Sequence, residues 1–178
     1  MKATYSSIVL FCLLLVSCDS TPTLQKYFVE NTENKNFVAL DVSPSILNVD
    51  KTKLSLEQTK ALQSFDKMNV LAFKINDKNK AQFEVERAKV NSILKDEKYQ
   101  QLIKFGSGKE GASVSYVGSD DHINEFVLYA NKKDMGFTVI RILGKDMNPT
   151  NIMTMMSVLK SSNIDMEQLK PLQELLKK

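Results

Sequence analysis

The feature that most constrains this chain is the apolar run from Ile8 to Val16, which follows a short basic start at Met1 and Lys2. It is too short to cross a bilayer, which takes about 20 apolar residues, but it has the length of the apolar region of an export signal. Apolar residues gather to membrane scale nowhere else in the sequence. What folds is therefore the chain that follows. An ordinary secretory cleavage site wants small residues at positions minus three and minus one, and here Leu15-Val16-Ser17 stands directly before Cys18. Leucine does not suit that enzyme.

The tetrad Leu15-Val16-Ser17-Cys18 instead resembles the lipobox of bacterial lipoproteins. In those proteins cleavage falls between the residues matched here by Ser17 and Cys18. The cysteine thiol carries a diacylglycerol and becomes the acylated N-terminus, palmitate being a typical acyl group. Each buried methylene contributes about 0.8 kcal/mol, so one acyl chain anchors marginally and two or three anchor stably. The expected organisation is a signal peptide over 1–17, a lipidated N-terminus and short tether over 18–22, and one domain over 23–178.

Cleavage leaves 178 minus 17, or 161, residues and removes Cys12. Cys18, the second of two cysteines, is blocked by lipid, so neither a disulfide nor a catalytic thiol is expected. The domain must rest on its apolar core, and 43% hydrophobic residues supply one. The net charge is +3. Of the 24 basic residues only Arg87 and Arg141 are not Lys, and the lysines are scattered, so a nucleic-acid partner is excluded.

Thr21-Pro22 reads as an N-cap followed by proline at the first helical position, and Leu24, Tyr27 and Phe28 give that helix an apolar face. Asn36 to Val42 reads as a strand. Ser55 and Gln58 form a capping box for a helix over about 55–67, with Ala61, Leu62, Phe65 and Met68 on its face. A buried strand follows at Val70 to Ile75, then a helix from Lys78 to Leu94. Tyr99, Leu102 and Ile103 are spaced for a further helical stretch ending at Gly106. Three strands, Ser113 to Val117, Ile123 to Ala130 and Gly136 to Leu143, are joined by turn-forming segments into a meander.

Asn148-Pro149 starts another helix, and Asp165 to Leu176 a last one, broken at Pro171. The expected fold class is α+β. A single domain carries an about five-stranded mixed or antiparallel sheet ending in a three-strand meander, with helices packed on a face and two C-terminal helices.

In that order of elements, the quoted residues resemble a family of Gram-negative bacterial lipoproteins classed as domain of unknown function 4252 (DUF4252). They are Tyr99 with Leu102-Ile103-Lys104; Gly111 and Val114; Ile123-Asn124-Glu125-Phe126-Val127-Leu128; Phe137-Thr138-Val139-Ile140 leading to Leu143-Gly144; and Asn148-Pro149 with Ile152. Phe37-Val38-Ala39-Leu40-Asp41-Val42-Ser43 and the lipobox extend the likeness over most of the mature chain. The resemblance implies a fold and an envelope location, and no activity.

Gly106-Ser107-Gly108-Lys109 is no phosphate loop: Ile103 stands where the first glycine belongs, and the segment follows a helix-like stretch and precedes a strand. Asp120, Asp121, His122 and Glu125 are the candidates for a divalent cation or an acid-base pair. A solvated hairpin uses the same residues, and no catalytic residue is assigned. Met147, Met153, Met155, Met156 and Met166 crowd one region; Ile152, Met155, Met156 and Leu159 fit the core face of a helix. Met153, Met156 and Val158 widen its apolar arc into a candidate partner surface.

The sequence thus predicts a lipid-anchored cell-envelope protein with a non-catalytic binding or structural domain and no cofactor. The membrane, through the N-terminal lipid, and an envelope protein or small ligand are its partners. The anchor lies in the outer membrane, facing the periplasm, or in the inner membrane. The alternatives are a carrier of a small apolar ligand and a membrane-tethered metal-dependent hydrolase.

Overall fold

A computed structural model describes residues 21–44, 47–48, 51–106, 110–120, 122–161 and 163–164. In chain order it runs α1 (Leu24–Asn31), β1 (Phe37–Val42), β2 (Leu47–Asn48), a 3-10 turn (Lys51–Lys53), α2 (Leu56–Ser64), β3 (Phe65–Lys74), α3 (Lys80–Ile93), β4 (Gln100–Gly106), β5 (Gly111–Ser119), β6 (His122–Lys132), β7 (Gly136–Met147), α4 (Pro149–Ser161) and β8 (Asn163–Ile164). Six strands form one sheet in the order β1-β3-β7-β6-β5-β4, every neighbouring pair antiparallel; β2 and β8 pair separately.

Local chemistry sets the helix starts. Ser55 and Gln58 make the reciprocal capping box of α2, with the Gln58 amide donating to Ser55 Oγ at 3.1 Å and the Ser55 amide to Gln58 Oε1 at 2.9 Å. At α4, Asn148 Oδ1 accepts from the Asn151 amide at 2.8 Å, and Pro149 needs no partner in the first turn. The cap of α1 is Thr23, whose hydroxyl oxygen accepts from the Lys26 amide at 3.2 Å; the expected cap at Thr21 stands two residues too early. Thr23 is the residue with extended dihedrals and a hydroxyl in reach of a free amide.

Strand register divides the side chains between two faces. One face carries Phe37, Ala39, Leu71, Phe73, Val127, Tyr129, Phe137 and Val139, and α1 and α3 bury it with Leu24, Tyr27, Phe28, Phe83, Val90 and Ile93. The other face carries Phe65, Phe126 and Ile142, with Met147 and Ile152 packed onto it, and α2 lies against α4 on that side. Gly136, at φ +116°, makes the β6–β7 turn possible where it meets β3. A Cβ there would lie 1.8 Å from the Phe73 carbonyl oxygen.

The sheet has six strands where five were expected, because residues 100–106 are a strand and not a helix. Gln101 pairs with Ser115 and Ile103 with Val114, so Leu102 is the extra residue of a bulge. A bulge breaks the two-residue alternation, which is why Tyr99, Leu102 and Ile103 imitate helical spacing. Gly106, at φ +77°, accordingly follows a strand and stops no helix. The helix expected over about 55–67 ends at Ser64; Phe65 is already extended, at φ −96° and ψ 119°, and Phe65 and Met68 pack in the sheet core. Helices also cover both faces. The expected last helix, Asp165 to Leu176, and residues 107–109 lie outside the described residues.

Candidate functional site

The hairpin candidates do not converge. The Tyr116 hydroxyl lies 2.8 Å from Asp120 Oδ1 and 3.0 Å from Gln100 Oε1, two acceptors for its one proton. His122 Nδ1 lies 2.8 Å from Asp146 Oδ1, both side chains more than 70% exposed. Asp121 lies outside the described residues. Glu125 is separated from this tip by a bulge between Ile123 and Glu125, which leaves Ile123 in the core on the α2 and α4 side of the sheet. Among the described residues no group of three His, Cys, Asp or Glu could hold a metal ion.

Met153 is 73% exposed, but Val158 is 1% exposed and belongs to the interior, so it cannot join a partner surface. Five residues along a helix is 500° of turn at 3.6 residues per turn, which carries Val158 well round from Met153. The Met156 side chain lies outside the described residues, as do Ser17 and Cys18, the expected cleavage and lipidation residues.

Glu125 instead meets Arg141. The guanidinium donates from Nε to Oε1 at 2.6 Å and from Nη2 to Oε2 at 3.3 Å, with side-chain exposures of 8% and 12%. The Arg141 Cζ lies 5.5 Å from the centre of the Phe28 ring. In register Asp41 pairs with Asn69 and Asn69 with Arg141, so the three form a polar row across β1, β3 and β7. Asn69 Nδ2 donates to Asp41 Oδ1.

This row borders a cleft of about 310 Å³ beneath α1, lined among others by Phe28, Val29, Asp41, Lys67, Asn69 and Arg141. Its volume sits at the lower end of small-molecule sites, roughly 300–1,000 Å³. The sequence carried one signal for it: Arg141 is one of two arginines and continues the alternation of Phe137 and Val139, so it must point at the same buried face.

A second polar group joins α1 to α3. The Tyr27 hydroxyl donates to Glu86 Oε2 at 2.8 Å, and Lys89 Nζ donates to Glu86 Oε1 at 2.8 Å. Burial, and then the neighbouring Glu86 carboxylate, push the Tyr27 phenol far above its ordinary range. Burial also raises Tyr99 and Tyr129. Beside this group, Thr23, Lys26, Glu30, Lys89 and Ser92 border a cleft of about 330 Å³ between α1 and α3. Among the described residues no hydrogen bond in either cleft joins a serine or threonine hydroxyl to a basic side chain.

The family described as Domain of unknown function (DUF4252) matches residues 27–155. That span holds the Arg141 cleft apart from Gln25, and it holds all six strands of the main sheet. No curated protein and no solved structure matches the chain. No helix among the described residues is long and apolar enough to cross a membrane.

Proposed function

We propose, starting from the fact that the chain belongs to the DUF4252 family, that it is a lipid-anchored protein of the bacterial cell envelope whose domain binds and does not catalyse. The observation that carries this reading is Leu15-Val16-Ser17-Cys18 standing so close to the domain. Cys18 precedes the α1 cap Thr23 by five residues, a reach of at most about 18 Å at 3.6 Å per residue. Leu24, Tyr27 and Phe28 of α1 are buried in the main core, so the domain would ride directly on the lipid surface. The dispersal of Asp120, His122 and Glu125 supports a binding role over hydrolysis. The two clefts of about 310 and 330 Å³ are bordered by charged side chains, Asp41, Lys67 and Arg141 in one and Lys26, Glu30 and Lys89 in the other, which favours a charged small ligand over the small apolar ligand of a carrier.

Growth with labelled palmitate tests the anchor. The wild-type protein takes up label and fractionates with membranes, and Cys18→Ser loses both properties. Label on Cys18→Ser, or a wild-type protein found free of membranes and unlabelled, overturns the proposal. Crosslinking in intact cells then identifies the macromolecular partner.

A further inference from the structure

We infer that the cleft beneath α1 is a binding site for a small zwitterion with an apolar side chain, of the chemical class of the apolar amino acids. This deepens the binding reading above and does not depend on lipidation. A guanidinium has five N–H donors, and Glu125 takes two of Arg141's, which leaves three. Those three meet no acceptor among the described residues. Nη1, which carries two of them, makes no bond there and is not a sealed unpaired atom, so it reaches solvent space, and Arg141 borders the cleft.

A buried cation held on one edge and open on the other is positioned for a carboxylate, since charge-assisted bonds to a guanidinium are the strong ones. Lys67 stands two residues from Asn69 on the same face of β3, borders the same cleft and makes no ion pair among the described residues. Two cations thus face a ligand from one side.

The opposite side of the row carries the complementary chemistry. Asp41 is exposed on the edge strand β1 and keeps carboxylate acceptor capacity beyond the one bond it takes from Asn69. That arrangement accepts an ammonium and repels a second carboxylate. On the α1 side of the cleft, the buried Phe28 ring and the Val29 side chain, 73% exposed, offer apolar contact. Cations, a counter-charge and an apolar wall thus border one cleft, and a neutral zwitterion with an apolar side chain carries the complement of each. A simple anion would leave Asp41 opposed, and a simple amine would leave Arg141 and Lys67 opposed.

The test is equilibrium dialysis of the detergent-solubilised full chain against labelled L-leucine, with isoamylamine and 4-methylpentanoate as competitors that lack one charge each. The expected result is saturable binding in the micromolar to millimolar range, roughly −8 to −4 kcal/mol by the affinity relation. Each competitor should bind at least about tenfold more weakly, the factor that corresponds to 1.4 kcal/mol. Lys67→Glu, an exposed change that leaves the core untouched, should weaken leucine by a similar factor, and Lys67→Arg should retain it. Absence of saturable binding, equal binding of either competitor, or indifference to Lys67→Glu in a folded variant overturns the assignment. Palmitate labelling and partner capture that persist in that event would leave the envelope reading standing without this ligand.

Discussion

The face of the sheet beneath α1 and α3 has two ends that solve burial in opposite ways. At one end Phe37, Phe73 and Phe137 lie side by side on β1, β3 and β7, with ring centres 5.1 and 5.6 Å apart, and Phe83 of α3 closes over them. At the other end the same three strands present Asp41, Asn69 and Arg141. The aromatic end is held by area and dispersion and tolerates no gap. The charged end must satisfy each polar group individually, and it is there that the cleft remains open. The difference teaches that β1, β3 and β7 serve as scaffold at one end and leave charged groups beside an open cleft at the other, the site of the proposed ligand.

The largest effect is expected at the aromatic end, where Phe73→Ala should lower unfolding stability by about 3–5 kcal/mol through lost transfer and an unfilled cavity. Chemical denaturation measures it. Glu125→Ala should cost about as much, 3–5 kcal/mol, for another reason: it strands the Arg141 charge in a site where its side chain is 8% exposed. The double change Glu125→Leu with Arg141→Met separates the two ends. It should recover most of that loss while abolishing leucine binding, whereas no second change nearby should recover Phe73→Ala so fully. If the double variant stays as unstable as Glu125→Ala, the charged end is a structural brace.

A smaller effect concerns pH. Tyrosines of the unfolded chain ionise near pH 10, while burial keeps Tyr27, Tyr99 and Tyr129 protonated above that value in the fold. Above about pH 10 the unfolded state then binds fewer protons, so stability is full below that pH and falls as pH rises towards the folded values. The denaturation midpoint should drop between pH 9 and 11, and the drop should shrink in Tyr27→Phe. A midpoint independent of pH across that range would contradict burial of these phenols. The smallest effect is Ser55→Ala, about 1 kcal/mol from the lost α2 cap, at a point remote from both ends.

The aromatic end was legible because its residues lie in apolar runs. Phe37 and Phe73 sit in continuous apolar runs and Phe137 opens a largely apolar one, and Asn131 to Asp134 announces the turn between β6 and β7. The capping box of α2 and the start at Asn148-Pro149 were equally local, and both appear where their residues predict. Strand β4 was hidden because a bulge at Leu102 breaks alternation and its exposed residues form no long apolar run, so it gives neither of the signals a strand can give. The cleft was hidden for a different reason. Asp41, Asn69 and Arg141 come from strands a hundred residues apart at the extremes, and only pairing register makes them neighbours. Glu125 neighbours His122 in sequence, while strand geometry pairs it with Arg141.

The central claim is that the chain is matured and held at Cys18, and the intact mass of the protein purified from membranes tests it most directly. The account predicts a polypeptide of 161 residues, 178 less 17, beginning at Cys18 and heavier by a diacylglycerol with or without a further acyl chain. A mature chain that begins at any other residue, or one that begins at Cys18 with no added lipid mass, contradicts it.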